Sequence, residues 1–191
     1  MFLSKRKRQL LEPQQLEKRN NLMSEEILID KNLSDEEIYN SLEKQLAHLI
    51  STDEPVISGL SNFTAALKQS FDKISWVGFY IKKNDFLFLG PFQGKTACTI
   101  IKIGNGVCGT SAEKKETLIV EDVDKFPAHI ACDSGSKSEI VIPIIIENEV
   151  WGVLDLDSYE YSSFNEIDKK YLLKLVSLLT NKLDLKSLKI V

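Results

Sequence analysis

The sequence has no run of apolar residues long enough to cross a bilayer. A membrane-spanning helix needs about 18 or more consecutive apolar residues, so we expect no membrane partner. The basic residues at the start are not followed by an apolar stretch, which excludes a secretory signal peptide. We therefore predict a cytoplasmic protein, in a compartment that keeps thiols reduced.

Cysteine and histidine are scarce, and their spacing fits no familiar site. The three cysteines, Cys98, Cys108 and Cys132, are too far apart to form a CxxC pair. Together with His48 and His129 they do not have the ligand spacing of a zinc finger, so we predict no metal site. Two interpretations of the thiols stay open, namely buried packing residues or redox chemistry.

Arginine occurs only at positions 6, 8 and 19. The first 20 residues hold six Lys/Arg and two Glu, a charge of +4; because the chain carries −4, the other residues carry −8. A domain of negative charge is not typical of nucleic-acid binding. The folded part also lacks the guanidinium group that could bind a carboxylate through two parallel hydrogen bonds.

Residues 1–33 are polar, charged and interrupted by proline, which predicts a basic, flexible leader before one domain over 34–191. Ser34 followed by Glu37 fits a capping box. Apolar residues at helical spacing then predict helices over 35–51 and 56–71, and an amphipathic helix that follows Phe164, capped by Asn165 or Ser163.

The region between these helices is rich in short β-type runs. We predict strands over 76–81, 86–90, 99–103, 118–120, 138–146 and 150–158. Polar turns favour two hairpins, and the glycine-rich middle is interpreted as irregular. Helices at both ends of an antiparallel sheet predict an α+β fold, a GAF-like sheet sandwiched by N-terminal and C-terminal helices.

The segment around Cys132 is small, polar and prone to turns. Successive backbone N–H groups in such a loop can lower the pKa of a thiol, although a half-buried, inert turn cysteine is the simpler interpretation. His129 could act as the base of a thiolate pair, but no Asn or Asp partner can be assigned to it.

Asp155 and Asp157 alternate with leucines along one predicted strand, so both lie on the same face. A solvated outer face would explain this pattern equally simply. The neighbouring hairpin strand is apolar on both faces and begins with Glu139, which favours a central position and a pocket. Trp76 and Tyr80 share a face by the same period, as core residues or as a pocket wall.

These residues belong to motifs that resemble the free methionine-(R)-sulfoxide reductases, a family of GAF-domain enzymes. The motifs are WVGFY (76–80), LGPFQGKTAC (89–98), IGNGVCGT (103–110), VEDVxxFPxHIACD (120–133), SxSEIVIP (136–143) and GVLDLDS (152–158). The similarity is collinear from about residue 36 to residue 183.

The resemblance implies an oxidoreductase that needs no bound cofactor. Cys132 would attack the sulfur of free L-methionine-(R)-sulfoxide and become a sulfenic acid. Cys98 would resolve the sulfenic acid as a disulfide, which thioredoxin would reduce. Cys108 would be an auxiliary thiol. The family's members commonly form homodimers.

The resemblance also assigns the substrate contacts. Glu139, Asp155 and Asp157 would bind the ammonium group, and one of them would donate a proton to the sulfoxide oxygen. Trp76 and Tyr80 would enclose the methyl sulfoxide. Because the domain lacks arginine, we expect backbone N–H groups of residues 131–136 to bind the substrate carboxylate, with Lys137 as the nearby cation. The alternative function is a non-catalytic GAF sensor of a small ligand or of redox state.

Overall fold

The computed structural model describes residues 26–127 and 135–188. Six strands form one antiparallel sheet in the order β3-β2-β1-β6-β5-β4. The strands are β1 (Trp76–Lys83), β2 (Phe86–Gln93), β3 (Ile100–Lys102), β4 (Leu118–Val120), β5 (Ser138–Ile146) and β6 (Glu149–Ser158). The helices are α1 (Asp35–Leu49), α2 (Val56–Ser70), α3 (Gly106–Lys114) and α4 (Glu166–Lys182), with short 3-10 turns at Val123–Lys125 and Leu185–Ser187. The predicted α+β fold is confirmed.

The two faces of the sheet have different covers. On one face, side chains such as Val77, Phe79 and Leu154 pack against α1, α2 and α4 in the larger apolar core. On the other face, Trp76 and Tyr80 belong to a smaller core that includes α3. The N-terminal and C-terminal helices therefore share one face and do not sandwich the sheet as predicted, and the opposite face is left for α3 and the candidate site.

Both long helices at the ends of the domain begin with a capping box. The Ser34 hydroxyl accepts from the Glu37 N–H, and the Glu37 carboxylate accepts from the Ser34 N–H, as the sequence predicts. Asn165 and Asp168 form the same arrangement at α4. These caps satisfy backbone N–H groups that the first helical turn leaves without partners.

Asp168 also joins the helices to one another. Its side chain is completely buried. Its carboxylate accepts from the Tyr39 hydroxyl at 2.9 Å and from the Lys73 ammonium at 2.7 Å. Lys73 in turn binds Asp35 at 2.6 Å. A buried carboxylate with this many donors is costly to remove, because each donor then loses a partner away from water.

We expect Asp168→Ala to lower the free energy of unfolding by about 3 kcal/mol, because it leaves the buried Tyr39 phenol without its acceptor and removes the buried one of the two carboxylates that bind Lys73. Urea denaturation measures the change. The exposed Glu166, two residues earlier and paired with Lys169, provides the control; Glu166→Ala should cost less than about 1 kcal/mol. Equal losses in the two variants would contradict this role of Asp168.

Helix α3 corrects the prediction that the glycine-rich middle is irregular. Close packing requires a glycine at position 109, because a Cβ added there would lie 2.4 Å from the Lys102 carbonyl oxygen. Gly104 and Gly106 have φ angles of 86° and 62°, in the region that favours glycine. A nine-residue helix that begins among such glycines has no apolar periodicity for the sequence to reveal.

Most of the predicted leader, residues 1–25, lies outside the described residues. In the remainder of the leader, the backbone N–H of Leu28 donates to the Gln45 side chain on α1, and the backbone carbonyl of Leu28 accepts from the same side chain. Ile27 and Ile29 are partly buried against the larger core. Among the described residues, no helix has the length and apolar character that a bilayer crossing requires.

Candidate active site

Three acidic side chains meet on the face of the sheet opposite the long helices. On the central strand β6, Asp155 and Asp157 are two residues apart and therefore point to the same side. The register places Glu139 of β5 opposite Asp157, and Gly78 of β1 opposite Asp155. Asp155 and Glu139 are only 6% and 7% exposed, whereas Asp157 is half-buried. A solvated outer face therefore does not describe this strand.

Cys108 joins the acids from helix α3. It is the third residue of that helix, and its buried thiol donates towards Glu139 Oε1 over 3.8 Å. The Cys108 sulfur and one oxygen each from Glu139 and Asp155 lie within 4.8 Å of one another. The thiol is buried and is not part of a disulfide.

Burial controls the protonation of the cluster. Loss of solvation raises the pKa of Glu139 well above its ordinary value, and the negative charges of Asp155 and Asp157 raise it further. Burial raises the pKa of Asp155 to about 6, although hydrogen bonds from Cys108 and Glu139 oppose the rise. Burial, followed by the two buried acids, also raises the pKa of the Cys108 thiol. Burial and the acidic neighbours therefore favour a proton on Glu139, next to the Asp155 carboxyl.

Aromatic rings cover the same face. The Trp76 ring stacks on Tyr80 at 6.0 Å between ring centroids and on Phe92 at 5.5 Å. Gly78 makes room for the indole, since a Cβ there would lie 2.4 Å from the Trp76 ring. The sequence did not predict Phe92 as part of this aromatic wall, because Gly90 and Pro91 are typical of the end of a strand. In the structure, β2 nevertheless continues to Gln93.

The predicted aromatic wall also holds the segment that carries Cys98. The Trp76 indole N–H donates to the Lys95 carbonyl, and the Tyr80 hydroxyl donates to the Cys98 carbonyl, each at 3.0 Å. Burial and the negative charge of Asp155 raise the pKa of Tyr80, so its hydroxyl remains a donor. Cys98 is half-buried and disulfide-bonded.

Not every predicted residue can be placed. Cys132 and His129 lie outside the described residues, as does most of the loop expected to bind the substrate carboxylate. Lys137 is described: its ammonium lies 3.5 Å from Asp124 and over the Tyr161 ring. Ser136, in the same loop, has a buried hydroxyl that finds no hydrogen-bond partner within residues 26–127 and 135–188.

Comparison with known proteins identifies the family. The GAF domain family matches residues 36–183. GAF domain-containing protein A of Dictyostelium discoideum is 49% identical over 83% of this chain and all of its own length. Free methionine-R-sulfoxide reductase of Saccharomyces cerevisiae is 43% identical over 78% of this chain and 87% of its own length.

The fold of this chain is also similar to that of a solved structure. The free methionine-R-sulfoxide reductase of Neisseria meningitidis, determined in complex with its substrate, has a TM-score of 0.78 and 38% identity, and the match covers 85% of this chain and 98% of that one. The sequence and the fold therefore agree: this chain belongs to the GAF-domain family, in the group of the free methionine-R-sulfoxide reductases.

Proposed function

We propose that this protein reduces free L-methionine-(R)-sulfoxide to methionine. The observation that carries the proposal is the buried cluster of Glu139, Asp155 and Cys108 beneath an aromatic wall. Relatives named for this activity, one of them solved with its substrate, support the same reaction. A buried cluster of acidic side chains next to aromatic rings suits a ligand with an ammonium group and a methyl sulfoxide.

The proposed reaction uses two thiols in sequence. The Cys132 thiolate attacks the sulfoxide sulfur, the oxygen passes to the cysteine as a sulfenic acid, and methionine leaves reduced. The Cys98 thiol then displaces the hydroxyl of the sulfenic acid, which releases water and forms a disulfide. The disulfide at Cys98 and the free thiol at Cys108 support this division of roles.

The sulfoxide oxygen needs a proton when its bond to sulfur breaks, and we assign that proton to Glu139. Among the three acids, Glu139 combines nearly complete burial with two acidic neighbours, so its protonated form is strongly favoured. Asp155, with a pKa of about 6, is ionised at neutral pH and can bind the substrate ammonium together with Asp157.

The substrate carboxylate needs a different partner. We propose that backbone N–H groups of residues 131–136 bind it, with Lys137 nearby. The unpartnered hydroxyl of Ser136 supports a polar ligand at this loop. Thioredoxin as the reductant, a homodimeric assembly, the lack of a bound cofactor and a cytoplasmic location stay predictions.

A coupled assay tests the function. Purified protein is mixed with a thioredoxin system and free L-methionine-(R)-sulfoxide, and the oxidation of NADPH is followed. We expect turnover with this substrate and none with the (S)-epimer. Binding of the sulfoxide without turnover, in protein whose thiols are intact, would contradict the proposal and favour a GAF-type sensor.

The hydrogen bond from Tyr80 to the Cys98 carbonyl predicts a specific kinetic defect. Tyr80→Phe keeps the ring against the substrate but releases the Cys98 segment, so disulfide formation should slow about fivefold, the effect of about 1 kcal/mol for one lost hydrogen bond. The first release of methionine should keep its rate. Rapid mixing with a sulfenic-acid reagent separates the two steps.

Tyr171→Phe provides the matched control. It also removes one phenolic hydroxyl, which binds Glu36 in the helical layer on the opposite face. This variant should form the disulfide at the unaltered rate. A Tyr80→Phe protein that does the same would show that the hydrogen bond does not position Cys98.

A further inference from the structure

The cluster of Cys108, Glu139 and Asp155 has a second chemical use beyond the proposed reduction. We propose that these three side chains form a binding site for a thiophilic divalent cation such as Zn²⁺, which occupies the pocket in competition with the substrate's ammonium group. The prediction of no metal site considered only the spacing of cysteines and histidines, whereas strands β5 and β6 and helix α3 bring one cysteine together with two carboxylates.

The distances fit a small metal ion. A tetrahedral Zn²⁺ with Zn–S of about 2.3 Å and Zn–O of about 2.0–2.2 Å holds its sulfur and oxygen ligands roughly 3.5 Å apart. The Cys108 sulfur lies 3.8 Å from Glu139 Oε1, and all three ligand atoms are within 4.8 Å of one another. Small rotations of the three side chains would therefore bring their ligand atoms to bonding distance from one metal ion. The fourth coordination position of that ion would stay open.

An independent observation points to a missing ligand. Asp155 is 94% buried, and none of the residues that the structure describes forms a hydrogen bond with its buried carboxylate oxygen Oδ1. Buried polar atoms in folded proteins are nearly always paired, so an unpaired one calls for a ligand. A cation that is bound by both carboxylate oxygens of Asp155 would supply the partner that Oδ1 lacks.

The charges around the cluster favour a cation, and the donor atoms select its type. Asp157 lies on the same face, opposite Glu139, and adds negative charge from the half-exposed side. One thiolate with two carboxylates suits Zn²⁺, whereas Mg²⁺ and Ca²⁺ prefer oxygen alone. The site should therefore discriminate strongly against Mg²⁺.

Occupation of this site would inhibit the proposed reductase reversibly. The cation would neutralise the carboxylates that we assign to the substrate ammonium, and it would engage the proton donor Glu139. We expect Zn²⁺ to raise KM for the sulfoxide at unaltered kcat. This kinetic consequence rests on the proposed function, whereas the binding itself does not.

Titration with Co²⁺ as a spectroscopic substitute, and with Zn²⁺ by calorimetry, tests the site in the full chain without substrate. The protein is oxidised so that Cys98 stays in its disulfide. We expect one equivalent of Co²⁺ to produce a thiolate-to-cobalt charge-transfer band that Zn²⁺ abolishes and a 1,000-fold excess of Mg²⁺ does not. No saturable Co²⁺ or Zn²⁺ binding would overturn the proposal, even if the reductase activity is found.

Variants locate the metal. Cys108→Ser should abolish the charge-transfer band, and Glu139→Gln should weaken Zn²⁺ binding at least tenfold while its fold is verified by circular dichroism. Glu149→Gln, an exposed carboxylate at the start of β6, should bind as the unmodified protein does. A band that persists in Cys108→Ser, or equal affinities of Glu139→Gln and Glu149→Gln, would overturn the assignment.

Discussion

Glu139→Gln should stabilise the protein at pH 7 and above while it reduces the activity by roughly 10²–10⁴-fold, the usual contribution of a general acid. Two properties of one side chain produce these opposite effects. The variant cannot deliver a proton to the sulfoxide oxygen. It also removes a buried carboxyl whose ionisation is opposed by burial and by two acidic neighbours.

The pH dependence follows from the direction of the pKa shifts. A carboxyl whose pKa is raised by folding retains its proton in the native state when the unfolded chain has lost it, so stability falls as the pH rises. For Asp155 this loss develops between pH 3.8 and about 6 and amounts to about 3 kcal/mol at 1.36 kcal/mol per pKa unit. For Glu139 the loss begins near pH 4.5 and continues upwards.

Thermal unfolding at pH 4 and pH 8 measures the effect. The raised pKa values of the cluster should make the unmodified protein less stable at pH 8 than at pH 4. Glu139→Gln should lose less stability over the same pH range, so its stability relative to the unmodified protein should be higher at pH 8 than at pH 4. Glu149→Gln, which removes an exposed carboxylate, should follow the unmodified protein at both pH values. A Glu139→Gln protein that is less stable at pH 8 would contradict the protonation assigned to this site.

The second large effect concerns the division of labour among the thiols. Cys132→Ser should lower the reduction of the sulfoxide at least about 10³-fold, because it removes the attacking nucleophile. Cys98→Ser should still release methionine once, but it should accumulate the sulfenic acid and fail to turn over with thioredoxin. Cys108→Ser should only weaken the activity.

Quantifying methionine and sulfenic acid after a single mixing distinguishes these three variants. Cys108→Ser serves as the control, since it also removes one thiol but keeps the proposed nucleophile and the resolving residue. A Cys132→Ser protein that releases methionine normally would show that another thiol attacks the sulfoxide and that the proposed order of the two steps is wrong.

Much of the fold can be predicted from the sequence because its elements have clear periodicity. The strands Leu118–Val120 and Ser138–Ile146 have the predicted bounds, and α1 and α2 differ only at their C-terminal ends. The first and last helices could not be assigned to one face, because the apolar residues of β1 and β6 face both sides of the sheet and only tertiary packing decides which side each helix covers.

The candidate site was partly predictable. Period-two alternation places Asp155 and Asp157 together, and the central position of their strand explains the burial of Asp155. The contact of Cys108 with Glu139 spans 31 residues. That contact depends on α3, whose glycines conceal the helix, so no local pattern could predict it. The hydrogen bond from Tyr80 to the Cys98 carbonyl is likewise a product of packing.

A single-turnover experiment tests the central claim most directly. The fully reduced protein, freed of external reductant, is mixed with an excess of free L-methionine-(R)-sulfoxide, and methionine and remaining thiols are quantified. We predict one methionine per chain and the loss of two thiols, with no reaction of the (S)-epimer. No methionine above the protein-free control, or equal reduction of both epimers, would contradict the account.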